Sequence, residues 1–217
     1  MSTSFDSGDL AAQQVVRELQ ELQESDLDTL RLLLTEARTH NGWQERDVSM
    51  ETLQALYNLM KYGPTSANAC PARLVFLRSS ESKERVRPAL KPNNVDKTMS
   101  APVTVIIGYD VEFWRYAERT FPQNPGAQTA FKDNPAGAEI AALRNGSLQG
   151  AYFIFAARAV GLDCGPMSGF DNAAVDREFF DGTTIKSNFL CNIGYGDTGR
   201  LFKRLPRFEF DEVCQIL

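Results

Sequence analysis

Residue types and spacings suggest several chemistries, and context removes most of them. Gly194-Tyr195-Gly196-Asp197-Thr198-Gly199 matches GxGxxG behind a strand-like run, the pattern that presents a helix N-terminus to a dinucleotide. Such a site needs a following helix, then a second parallel strand with an acidic residue about 20 positions on. Only 18 residues follow Gly199, so a Rossmann site is set aside. His40 is the sole histidine; any Ser-His-Asp or Cys-His relay would pass through it, and multi-histidine metal sites are excluded. Its plainer reading is a polar residue closing a helix end. Cys70, Cys164, Cys191 and Cys214 are widely spaced without CxxC, the pattern of reduced packing thiols rather than a disulfide frame or zinc knuckle. No metal site is expected.

The elements that must position any remaining chemistry follow from periodicity. Leu10, Val15, Val16, Leu19 and Leu22 have helical spacing, and a second helix from Ser25 or Asp26 brings Leu27, Leu30, Leu33, Leu34 and Ala37 onto one face. After the break at His40-Asn41-Gly42, Ser49 is a good N-cap for a helix with Leu53, Leu56, Tyr57 and Met60, stopped at Gly63-Pro64 by glycine's left-handed freedom and proline's missing donor. Arg73–Arg78 and Pro102–Tyr109 read as strands around a charged helical stretch, Ser82–Leu90. Residues 111–134 read as a loop or short-helix excursion, a candidate lid. Asn134-Pro135 opens a helix running to Val160 that is apolar on several faces; Gly146, Ser147, Gly150 and Ala151 would admit a second backbone, which suggests a central position at a dimer seam. A last strand, Asn188–Tyr195, precedes the basic stretch Arg200–Arg207 and a short helix from Asp211.

Composition bounds the function. A length of 217 residues allows one sizeable core, with 43% hydrophobic and 24% charged residues giving an ordinary globular balance. A net charge of −5 opposes a nucleic-acid partner. No apolar run could span a bilayer, and the first 24 residues lack a signal-peptide pattern, so no membrane partner and a cytoplasmic location are expected.

The segments that remain are Glu36–Trp43, Tyr62–Arg73, Gly161–Asp171, Asn192–Gly196 and Lys203–Pro206. In this order they resemble the nitroreductase family, most closely its malonic semialdehyde reductase-like (3-hydroxypropionate dehydrogenase-like) branch, from about residue 30 to the C-terminus. The resemblance implies an α+β, nitroreductase-like FMN-dependent fold: a mainly antiparallel central sheet flanked by helices, in an intertwined homodimer with FMN sites at the interface. Residues 1–25 would be an N-terminal helical extension and 26–217 the FMN-binding domain.

By the same resemblance, Arg38, Thr39 and Arg204 hold the FMN phosphate, with Lys203, His40 and Asn41 beside them. Arginine suits this role because its planar fork matches phosphate oxygens. Asn41 or Gly42 stands where many members carry a second basic residue, which shifts the grip toward Arg204. Pro64, Thr65, Ser66 and Asn68 resemble the loop that reaches the flavin from the partner subunit. Pro166, Met167, Ser168 and Gly169 lie beside the ring, with the backbone N–H of Ser168 or Gly169 directed at N5; many members carry Glu in place of Ser168. The bland alternatives are an exposed helix-end cation for Arg38 and a helix-stop turn for residues 64–71.

The implied activity passes hydride from NAD(P)H through flavin N5 to a small electrophile, without a side-chain nucleophile. The branch points to malonic semialdehyde, reduced from 3-oxopropanoate to 3-hydroxypropanoate in pyrimidine catabolism. Lys91, Arg115 and Arg119 are candidates for the substrate carboxylate because they flank the aromatic excursion. One alternative is a broad nitroaromatic or quinone reductase; another is a non-catalytic flavin-binding sensor or interaction module.

Overall fold

The computed structural model describes residues 24–217; the expected helix through Leu10–Leu22 and nearly all of the extension 1–25 lie outside the described residues. The chain divides into two compact units between Ala37 and Arg38. In the first, α1 (Glu24–Arg31) passes into a π-helical turn, Leu32–Glu36. The Thr35 hydroxyl donates to the Arg31 carbonyl at 3.0 Å, a side-chain bond that competes with the regular ladder. Ala37 is extended, so it leaves the helical face to which the 3.6-residue period had assigned it.

The second unit is a four-stranded sheet with helices on both faces. Its elements are α2 (Met50–Met60), β1 (Ala72–Leu77), α3 (Ser80–Val86), α4 (Pro92–Met99), β2 (Val103–Asp110), α5 (Ala117–Thr120), α6 (Gly126–Thr129), α7 (Pro135–Ala159), β3 (Asp163–Met167), α8 (Asn172–Phe179), β4 (Ile185–Gly194) and α9 (Phe210–Val213). Strand order is β1-β2-β4-β3, and every neighbouring pair is antiparallel. Every residue of β2 is buried, because both faces of the sheet are covered. Val103, Val105 and Ile107 face Leu56, Met60, Phe153 and Ala157. Ile106 and Leu190 face Val86, Leu90, Phe170, Val175 and Phe180.

Local chemistry places the helices as expected in several cases. The Ser49 hydroxyl accepts from Thr52 N at 3.2 Å to cap α2, and Asn134 accepts from Gly137 N at 3.0 Å to cap α7. Gly161 ends α7 with φ +81, the left-handed geometry that glycine adopts at little cost. Gly63 is different: its φ is not positive, and a Cβ there would stand 2.0 Å from the Tyr152 ring. Close approach to α7, not left-handed backbone, requires that glycine. Gly150 likewise lets α7 settle on the Phe189 ring, a Cβ standing 2.5 Å from it. Gly146 and Gly150 therefore serve packing within the chain, while Ile140, Leu143, Leu148 and Phe155 on α7 are exposed.

Residues 111–134 form short helices and 3-10 turns around Phe113 and Phe131, whose rings meet at 5.3 Å. Three elements had no clear signal. Strand β3 contains Gly165 and Pro166 and is a sheet edge, where proline's missing donor is tolerated. Helices α4 and α8 are only eight residues each. Among the described residues no helix is long and apolar enough to cross a membrane, and no group of three or more His, Cys, Asp or Glu could hold a metal.

Candidate functional site

The expected site residues fall into three groups. The first is the segment from Arg38 to Gln44, which runs beside the start of β3. Thr39 bridges Cys164 in parallel, and Trp43 bridges Gly196 in antiparallel fashion. The His40 amide donates to the Cys164 carbonyl at 2.9 Å, Gln44 N to Tyr195 O at 2.8 Å, and Asp197 N to Gly42 O at 3.0 Å. A guanidinium nitrogen of Arg38 donates to the Phe202 carbonyl, and Arg200 packs over Gly42. The two ends of the second unit, each carrying basic residues, thus meet here; Lys203 and Arg204 continue the exposed strip.

Helix α4 adds a cation that sequence reasoning missed. Lys97 Nζ approaches Asn41 Oδ1 at 3.5 Å, and burial pushes its ammonium below the usual lysine range. The Lys97 carbonyl also accepts from Trp43 Nε1 at 3.0 Å and from Asn192 Nδ2 at 3.1 Å. Lys91, Asn94 and Lys97 recur every three residues, one face of a helix; Pro92 at its first position was the available signal.

The second group, Pro166–Gly169, lies at the other end of β3. Met167 is buried and Ser168 exposed. The Gly169 carbonyl accepts from Lys91 N at 3.0 Å and from Asn94 Nδ2 at 2.7 Å, while a Cβ on Gly169 would stand 2.4 Å from Asn94 Nδ2. Helix α4 therefore touches both groups and fixes their spacing along β3.

The third group, residues 64–71, precedes β1 at the opposite edge of the sheet. Ala67, Asn68 and Cys70 all have positive φ (49, 49 and 42), strain that costs roughly 1–3 kcal/mol per residue where no glycine relieves it. The loop is held by side chains: Asn145 Oδ1 accepts from Ser66 N at 2.8 Å, Gln128 Nε2 donates to Ala67 O at 2.8 Å, Asn68 Nδ2 to Thr120 O at 2.6 Å, and Tyr152 OH to Pro64 O at 2.9 Å. Thr65 Oγ1 accepts from Cys70 N at 3.2 Å. Strand β1 lies three inter-strand steps from β3, about 14 Å, so the first two groups share one edge of the sheet and the third belongs to the other.

The substrate candidates separate similarly. Lys91 is exposed with its stem along Gly169. Arg119 lines a cavity of about 540 Å³ beside the third group, with Tyr57, Arg73, Phe76 and Tyr116, and makes no hydrogen bond or ion pair among the described residues. Arg115 is instead paired with Glu112. Around β3 the arrangement thus gathers basic side chains at one end and, at the other, a glycine turn against which Asn94 packs closely.

Comparisons with known proteins give the family and the fold. The sequence pattern of the nitroreductase family matches residues 34–195. A Ralstonia pickettii protein named as NADH dehydrogenase/NAD(P)H nitroreductase HadB is 54% identical over 190 residues, covering 87% of this chain and 97% of its own. Among solved structures, nitroreductase ydfN of Bacillus subtilis superposes with a TM-score of 0.80 at 21% identity, covering 88% of this chain and 100% of its own. A nitroreductase of Exiguobacterium sibiricum in complex with FMN gives 0.78 at 16% identity, covering 86% and 96%.

Proposed function

The chain belongs to the nitroreductase family, and from that premise we propose that it is an FMN-dependent, NAD(P)H-consuming reductase of small electrophiles, active as a homodimer. The observation that carries this reading is the pairing, along β3 and α4, of the Arg38–Asn41 cradle with the Ser168–Gly169 turn. The chemistry FMN supplies when bound is transfer of hydride from NAD(P)H to an acceptor. Arg38, Lys97 and the strip Arg200–Arg204 hold the phosphate, with Thr39 and Asn41 adding neutral contacts. The Gly169 carbonyl is held by α4, which fixes the turn whose Ser168 and Gly169 N–H groups would meet the flavin.

A second copy completes the site. Thr65, Ser66 and Asn68 sit on the opposite edge of the sheet from Ser168, so they serve the flavin of the partner. The exposed apolar face of α7 and the exposed Phe202, Leu205, Phe208 and Phe210 of the C-terminal segment supply surface for that association. If the site is shared, equal mixing of inactive Arg38→Ala and Asn68→Ala chains restores about a quarter of wild-type activity, because half of randomly paired dimers keep one intact site. Absence of restored activity removes the shared site.

We further propose malonic semialdehyde as acceptor, its carboxylate held by Arg119 of the partner-side cavity or by Lys91 beside Gly169. The unpaired guanidinium of Arg119 supports that assignment. The name of the Ralstonia relative favours a second reading, a nitroaromatic reductase. The FMN-loaded protein, bleached anaerobically by NADPH, recovers its visible spectrum faster with malonic semialdehyde than with a nitroaromatic under the first reading and slower under the second. A flavin that NADPH cannot bleach leaves a binding protein without turnover.

A further inference from the structure

Two features of the sequence meet behind the basic strip: the sole histidine, and the middle glycine of the GxGxxG run. They are packed against each other. His40 is 5% exposed, and its Nε2 stands 3.3 Å from Asp163 Oδ1. The other carboxylate oxygen of Asp163 accepts from Gly196 N at 2.8 Å. A Cβ on residue 196 would lie 1.8 Å from His40 Nδ1, so only glycine lets the ring close over the turn. His40 Nδ1 is buried without a hydrogen-bond partner. Leaving such an atom unmet carries a desolvation penalty that an apolar side chain of similar size would avoid, so packing alone does not account for a histidine here. What histidine adds over an apolar ring is the Nε2 link to Asp163.

That link joins the two chain segments that carry the basic residues. His40 lies between Arg38 and Asn41, Asp163 opens β3, and Gly196 begins the turn toward Arg200 and Arg204. The surrounding bonds tie the same two segments: Gln44 Nε2 donates to Gly196 O at 2.9 Å, and Arg38 reaches the Phe202 carbonyl. We propose that His40, Asp163 and Gly196 form a positioning unit that sets the N-terminal and C-terminal basic arms at the spacing a phosphate monoester needs. This rests on the FMN reading. His40 is then a positioning residue that acts through Asp163, and the specificity it confers is for a phosphorylated flavin over its dephosphorylated form.

The discriminating measurement is the dissociation constant for FMN and, separately, for riboflavin, read by flavin fluorescence on the full chain. Asp163→Asn, a near-isosteric change at a part-exposed carboxylate, keeps one acceptor oxygen and loses the other. It should weaken FMN binding about tenfold and leave riboflavin binding unchanged. His40→Leu should do the same, while His40→Gln, which restores an amide donor toward Asp163, should stay near wild type. Equal loss of both flavins, or no change in either with Asp163→Asn, overturns the proposal. Wild-type protein that binds no FMN overturns the FMN reading itself, and is told apart because that result needs no variant. Should His40→Leu not fold, Asp163→Asn and His40→Gln decide alone.

Discussion

Around β3, the segment 38–44 is stitched to Cys164, Tyr195 and Asp197 by main-chain hydrogen bonds, whereas at the β1 edge the loop 64–71 hangs on side chains of Asn145, Gln128 and Tyr152. The first region has regular backbone and short bridges. The second carries three non-glycine residues at positive φ within four positions. Main-chain stitching does not depend on exposed side chains, so the segment 38–44 can change those and keep its backbone path. A strained loop keeps its shape only while its clamps remain, since removing one leaves a backbone group unmet and the strain uncompensated.

The largest expected effect tests that contrast directly. Asn145→Leu removes the acceptor for Ser66 N in a position only 3% exposed; it should cost about 1–3 kcal/mol and lower Tm by roughly 2–10 °C, with proteolysis entering at the loop. An unchanged Tm would mean that the loop is not held by its clamps. Lys97→Met should weaken FMN roughly tenfold with little loss of Tm, as the main-chain bridges survive; a large fall in Tm would break the comparison from the other side.

A smaller effect concerns the support of α4. Lys83 Nζ donates to Met99 O at 2.8 Å and to Ala101 O at 2.7 Å, and burial pushes its ammonium below the usual lysine range. Its folded pKa is then lower than its unfolded one, so the folded chain releases the proton first. Stability from this group therefore rises as pH climbs from the lowered value to the ordinary lysine range, and is level outside that alkaline window. Lys83→Met should flatten the rise in urea-unfolding free energy over that window. The smallest effect is Ala67→Gly, which removes a left-handed Ala at φ 49. The relief exceeds the entropic cost of glycine by roughly 0.5 kcal/mol, so Tm should rise by about 1–2 °C; a fall would show the position unstrained.

Much of this was legible in the chain itself. The caps Ser49 and Asn134, the Val- and Ile-rich strands and the long apolar helix are local statements, made by side chains within a few residues of the backbone they control, and the structure repeats them within a few positions. The ordered segments around Arg38, Ser66, Ser168 and Arg204 carried the family. Tertiary structure decided what local patterns do not encode. It made an edge strand of Asp163-Cys164-Gly165-Pro166-Met167, which carries no strand signal of its own and takes its partners from β4. Lys97 came beside Asn41 across 56 residues, and Gly63 and Gly196 were needed by rings from distant segments rather than by their own dihedrals. Hydrogen bonding within a turn or helix is written in neighbouring residues, whereas close approach between elements is fixed only when the sheet has set their distances.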